Sequence, residues 1–256
     1  MIFRLWEFDV GINAYLLIQK CLTMQICIIK QVDLIMIKIL PKIFLVLSFI
    51  LCSGAYGDSC WQFDLNDCRV KAEQGHLDAV YNLGVMYYTG QGVSRDYKEA
   101  VRWYQKSAAR GHSRALYNLG LMSIQGQGVS QDHQEAVRLF KKSAEYGYTP
   151  AKNNLGVMYY NGEGVPQDYR AALQWFSKAA GEGDVDAPFH LSEMYRLGKG
   201  VIKDYGLAYM YATIALLKGN INASQEREIL SQFLTVSERK VAQDLAEHWL
   251  RKHENI

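Results

Sequence analysis

From residue 79 onward, apolar and polar positions recur with a fixed period of 36 residues, giving gapless copies at 79–114, 115–150, 151–186 and 187–222. Each copy opens on a small residue (Ala79, Ala115, Ala151, Ala187). A leucine (Leu83, Leu119, Leu155, Leu191) and a methionine (Met86, Met122, Met158, Met194) follow at a spacing that places them on one helical face. A Gly-x-Gly-Val element (Gly90, Gly92, Val93 in the first copy) then ends the first helix, because glycine takes the positive φ of a helix stop without penalty.

Asp96, Asp132, Asp168 and Asp204 come next, each placed as the N-cap of a second helix. Glu99 and Glu135 add the spacing of a capping box in the first two copies, whereas Ala171 and Leu207 break it in the others. The second helix carries a stripe such as Ala100, Trp103, Tyr104, Ser107 and Ala108, matched by Ala136, Leu139, Phe140, Ser143 and Ala144. It closes at Gly111, Gly147, Gly183 or Gly219. One such hairpin cannot cover its own apolar faces, so neighbours must stack around a continuous core. The expected fold is all-α, a right-handed α-α superhelix.

The strings YNLGVMYYTGQGVSRDYKEAVRWYQKSAARGH, YNLGLMSIQGQGVSQDHQEAVRLFKKSAEYGY and NNLGVMYYNGEGVPQDYRAALQWFSKAAGEGD resemble the Sel-1-like repeat, a relative of the tetratricopeptide repeat. The fourth copy departs from the pattern: Ser192 replaces the glycine after leucine, and Leu216 and Leu217 replace small residues near the end. The segment 58–78 reads as an N-terminal cap with a partial repeat, since Lys71 to His76 look like the tail of an earlier second helix. Residues 223–256 supply two further amphipathic segments, Ser224–Phe233 and Glu238–Lys252, expected to seal the end of the stack. Thr235 and Glu238 fit a capping box, and Val241, Leu245 and Trp249 share one face of the last helix.

Ahead of the repeats, residues 36–57 combine Lys38 and Lys42, an apolar run from Ile43 to Leu51, and small Ala55 and Gly57, the build of a secretory signal peptide cleaved before Asp58. Bulky Leu51 disfavours a lipid anchor at Cys52. The apolar run is shorter than the roughly 20 residues of a membrane span, so no permanent transmembrane helix is expected. Residues 1–35 precede a complete signal and carry no repeat register, as either an untranslated stretch with the start at Met36 or an uncleaved extension.

Charge changes the picture only by exclusion. The whole chain carries a formal +2. Removing residues 1–57 takes away five basic and three acidic side chains and leaves zero. With Lys and Arg dispersed among acids, nucleic acid is not an expected partner. Export would leave Cys60 and Cys68 as an even pair, a candidate disulfide that requires Cys60 to lie outside the helix carrying Cys68.

The six histidines are scattered without metal-ligand spacing, and no cofactor is expected. Ser237 and Lys240 have the spacing of a penicillin-binding serine and lysine, and some Sel-1-like proteins resemble β-lactamases in description. The companion motifs are absent, so a periplasmic cell-wall factor or β-lactamase-like hydrolase is the alternative reading and a non-enzyme the leading one. The leading reading is an exported scaffold that binds a peptide or protein segment on the wall of first helices. On the face opposite Leu83 and Met86 lie Tyr81, Asn82 and Tyr88, then Tyr117 and Asn118, then Asn153, Asn154 and Tyr160, and finally His190 and Arg196. Amides can pair with a peptide backbone and tyrosines can stack on its side chains. The same asparagines could instead bond a neighbouring hairpin and hold the stack together.

Overall fold

The computed structural model describes residues 64–254; the expected signal peptide, the segment before it and Cys60 lie outside them. Eleven helices and no strand are found among the described residues: α1 (Leu65–Glu73), α2 (Leu77–Thr89), α3 (Tyr97–Ala108), α4 (Ser113–Gln125), α5 (His133–Glu145), α6 (Thr149–Asn161), α7 (Tyr169–Gly181), α8 (Ala187–Leu197), α9 (Tyr205–Leu217), α10 (Ala223–Ser231) and α11 (Val236–Glu254). Even-numbered helices α2 to α8 are the first helices of four hairpins, and α3 to α9 their partners. Each second helix also packs on the next first helix, which makes a solenoid. Helix α1 packs on α2 as the second helix of an earlier, partial repeat.

The recurring aspartates perform as N-caps: Asp96, Asp132, Asp168 and Asp204 each accept from amides in the first turn that follows. The expected capping boxes at Glu99 and Glu135 do not form. Asp96 already donates its amide to Tyr87 O (2.9 Å) and Asp132 to Ser123 O (2.8 Å), leaving no donor for a glutamate to reach. Glu99 and Glu135 instead accept from Arg102 and Arg138 one turn on. Replacing Asp168 by Ala should therefore cost about 1 kcal/mol in urea unfolding, whereas Glu99→Gln should cost less than about 0.5 kcal/mol, the usual limit for an exposed helix pair.

The core runs between hairpins as a chain of clusters. Ala100, Tyr104, Leu116 and Leu119 pack together, then Ala136, Phe140, Leu155 and Met158, then Ala172, Phe176, Leu191 and Met194. The glycine after each leucine has a purpose inside this core. A Cβ on Gly84, Gly120 or Gly156 would lie 2.5 Å from the ring of Tyr104, Phe140 or Phe176 in the partner helix. In the fourth hairpin both members of the pair change together: Ser192 takes the glycine position and Ala212 the ring position. Both are fully buried, and Ser192 Oγ donates to Ala208 O at 2.8 Å.

Helices α10 and α11 cover α9. The expected capping box between them is present, with Thr235 N donating to Glu238 Oε2 (2.8 Å) and Glu238 N to Thr235 Oγ1 (3.3 Å). The Thr235 backbone and hydroxyl bonds hold the Glu238 carboxyl below its ordinary value. Its contribution is thus present above the usual carboxylate range and fades as pH falls through the lowered value. The packed face of α11 differs from the expected one. Ala242, Ala246, Trp249 and Leu250 face the core, while Val241 and Leu245 are exposed. Small side chains let α11 approach the crowded surface of α9.

Candidate functional site

The sequence-derived residues lie on the first helices α2, α4, α6 and α8, and each is half-buried. Asn118 Nδ2 donates to Tyr81 Oη and Asn154 Nδ2 to Tyr117 Oη, both at 3.3 Å. Each bond crosses one repeat boundary, so these two asparagines tie neighbouring hairpins. Burial raises the Tyr81 and Tyr117 phenols above their ordinary value, so both stay protonated and act as neutral acceptors.

Ring contacts reinforce the same seams. Tyr81 stacks on His112 with centroids 4.5 Å apart, and Tyr117 meets Tyr148 edge-on at 5.1 Å. His112 Nδ1 accepts the Ala115 amide, and its Nε2 lies 3.1 Å from Asp78 Oδ1. The Nε2 therefore carries the proton and donates to Asp78.

Three of the expected residues are held by neighbours. Tyr160 Oη accepts from Lys199 Nζ at 2.9 Å. His190 stacks on Phe176 at 4.7 Å and has Glu193 3.7 Å from its Nδ1. Arg196 Nε donates to Glu226 Oε1 at 2.6 Å, and this buried carboxylate belongs to α10. The C-terminal cap thus reaches the fourth hairpin's share of the wall, a contact with no signal in the repeat pattern because α10 lies outside it. Tyr88 packs against Tyr97 at 5.5 Å.

Between the start of α6 and the turn into α8 the wall opens into a cleft of about 430 Å³. Tyr117, Asn153 and Asn154 line it from the expected set, joined by Thr149, Glu182, Asp184 and Asp186. The acidic residues were not singled out in the sequence, because Glu182 and Asp184 have no acidic counterpart in any other copy and Asp186 has one only in Asp78. Asp184 Oδ1 caps α8 by accepting from Asp186 N (3.0 Å) and Ala187 N (2.8 Å). Burial nevertheless raises its carboxyl above the ordinary value. Lys152, at the register of buried Val80 and Leu116, pairs with Glu182, which also accepts from Thr149 Oγ1 at 3.1 Å. Asn153 Oδ1 is buried with no hydrogen-bond partner among the described residues. The lining is rich in acceptors, of which Glu182 is paired with Lys152 and Asp186 Oδ1 accepts from Asn220 Nδ2 at 2.8 Å.

The alternative catalytic pair is not assembled. Ser237 is exposed in the first turn of α11, and Lys240 Nζ bonds Asp244 Oδ1 at 2.9 Å, which raises the ammonium above its ordinary value. A lysine base needs the opposite shift. Cys68 is fully buried against Leu83 and Met86 and is disulfide-bonded, with a partner outside the described residues. No helix among the described residues is long and apolar enough to cross a membrane.

Stacked helical hairpins in fixed register define a helical-repeat solenoid protein. The Sel1 repeat model matches residues 77–112, 113–148, 149–184 and 185–220, and the chain belongs to that family. The matched units keep the 36-residue period and begin two residues before the boundaries read from the small residues.

Among solved structures, a protective antigen of uropathogenic Escherichia coli with an SLR fold is 34% identical at a TM-score of 0.68, over 74% of this chain and 41% of that one. The chain thus spans well under half the length of the Escherichia coli protein. A Sel1 repeat protein from Oxalobacter formigenes is 31% identical at a TM-score of 0.62, over 72% of this chain and 77% of that one. No curated protein matches the sequence. Sel1 repeat proteins generally mediate protein–protein interaction and are generally not enzymes.

Proposed function

We propose that this chain is an exported scaffold that holds a peptide or protein segment against the concave wall of its first helices, anchored at the cleft between α6 and α8. The observation that carries the proposal is the buried, unpaired Asn153 Oδ1 in an acceptor-lined opening beside Asp184. A segment presenting N–H groups pairs with the acceptors that line this opening. Backbone amides, lysine and arginine all qualify, and Asp184 and Asp186 favour the cationic ones. Asn118 and Asn154 serve this role by holding Tyr81 and Tyr117 in place. The disulfide at Cys68 supports export, since such bonds persist in oxidising compartments. Cys60 is the proposed partner, because Asp64 caps α1 and leaves Cys60 ahead of the helix.

The test is capture of crosslinked partners from the exporting cell by the full chain and by an Asn153→Ala, Asp184→Asn double variant. Asparagine at 184 keeps an oxygen for capping α8, so the melting temperature should stay within about 2 °C, less than a 1 kcal/mol loss would move it. Recovery should fall at least about tenfold, the effect of roughly 1.4 kcal/mol. Undiminished recovery with an intact fold would remove the cleft from the binding site. The amino terminus of the recovered protein should be Asp58.

A further inference from the structure

Position 103 of the first hairpin and its equivalents hold Trp103, Leu139, Trp175 and Tyr211, so the second hairpin alone has an aliphatic residue where the others have a ring. In the first hairpin Trp103 packs against the buried cluster that contains Leu83, as do Ala72 and Val93. In the third, Trp175 and Val165 pack against the buried cluster that contains Ala144 and Leu155. The equivalent residues around Leu139 are Ala108, Leu119 and Val129, and these line an open cavity of about 530 Å³ between α3, α4 and α5. The cavity is a socket in which a leucine stands where the first and third hairpins have an indole, with the Tyr146 ring also on its lining.

A second feature repeats with it. Lys106 Nζ stands 4.1 Å from the Trp103 ring centroid, and Lys178 Nζ stands 4.9 Å from that of Trp175. Their equivalent, Lys142, is exposed on the rim of the cavity. The neighbouring hairpins thus show both the shape and the charge that the socket is built to receive: a flat apolar ring on Ala, Leu and Val, with an ammonium over its face.

We propose that this socket docks an aromatic side chain, tryptophan foremost, supplied by a partner protein. Buried aromatic anchors in such pockets carry a disproportionate share of binding energy at protein interfaces. The site is formed by α3, α4 and α5 and shares no residue with the cleft between α6 and α8, so the two stand or fall separately.

The experiment is an NMR titration of the full chain with N-acetyl-tryptophanamide, alongside the Leu139→Trp and Lys142→Ala variants. In the unaltered chain the Val129 and Lys142 amides should shift saturably. Leu139→Trp, which restores the residue found in the first and third hairpins, should melt no lower than the parent and should abolish the shifts. Lys142→Ala should weaken binding about two- to fivefold while leaving the socket open.

Absence of saturable shifts at Val129 and Lys142 would overturn the proposal. So would N-acetyl-leucinamide binding as tightly as the tryptophan probe, or a Leu139→Trp chain that melts well below the parent. If sedimentation instead shows a dimer that Leu139→Trp dissociates, the occupant is a second copy of this chain and the assignment to a partner is wrong.

Discussion

Gly120→Ser should destabilise the chain by about 2–3 kcal/mol, the upper part of the range for overpacking a close-packed core, and Phe140→Ala should cancel most of that loss. The new Cβ would lie 2.5 Å from Phe140 Cε1, inside a helix–helix contact with no room to yield. Phe140→Ala alone should cost about 3–5 kcal/mol through the cavity it leaves. The double variant reproduces Ser192 and Ala212, a pair the fourth hairpin already accommodates. A urea-unfolding double-mutant cycle should therefore return a favourable coupling of about 1–3 kcal/mol between the two sites. Additive losses would mean that the ring and the glycine do not define one contact.

Gly164→Ala should be among the most damaging single changes, with a loss of at least about 3 kcal/mol from backbone strain and overpacking together. Gly164 has φ +69°, and its added Cβ would meet the carbonyl oxygen of His133 in the preceding hairpin at 2.3 Å. Backbone cannot rotate aside as a side-chain tip can, so adjacent hairpins would be forced apart. Gly147, also left-handed at φ +81°, has nothing within 4 Å of the added atom. Gly147→Ala should thus lose only about 1–2 kcal/mol of strain. The difference between the two, read from urea midpoints at constant slope, isolates the contact between hairpins. Equal losses would show that conformational strain alone explains the glycine and that the turn does not seat one hairpin on the next.

The hairpins were legible because their punctuation is local: a glycine that stops a helix and an aspartate that starts one act within a few residues. Contacts between helices were less legible. The leucine-glycine pair stands out in sequence, but its reason is a ring 20 residues away in the partner helix, as Gly84 and Tyr104 show. Likewise Asn118 and Asn154 read equally well as binders or as ties, and only the bonds to Tyr81 and Tyr117 show that they tie. The acids of the cleft, Glu182 to Asp186, sit near the end of the third copy, and only Asp186 has an acidic counterpart, Asp78, to mark it. On α11 the bulkier Val241 and Leu245 drew the eye, yet α9 presents so full a surface that Ala242 and Ala246 fit against it.

Site-specific photocrosslinking in the cell that produces the chain tests most directly whether the first-helix wall receives a partner. A crosslinking side chain at Asn153, within the cleft, should give a discrete adduct with one partner, and the same group at exposed Arg170 on α7 should give none. Equal adducts at both positions, or none at Asn153 while the chain remains folded, would contradict the wall as the binding surface.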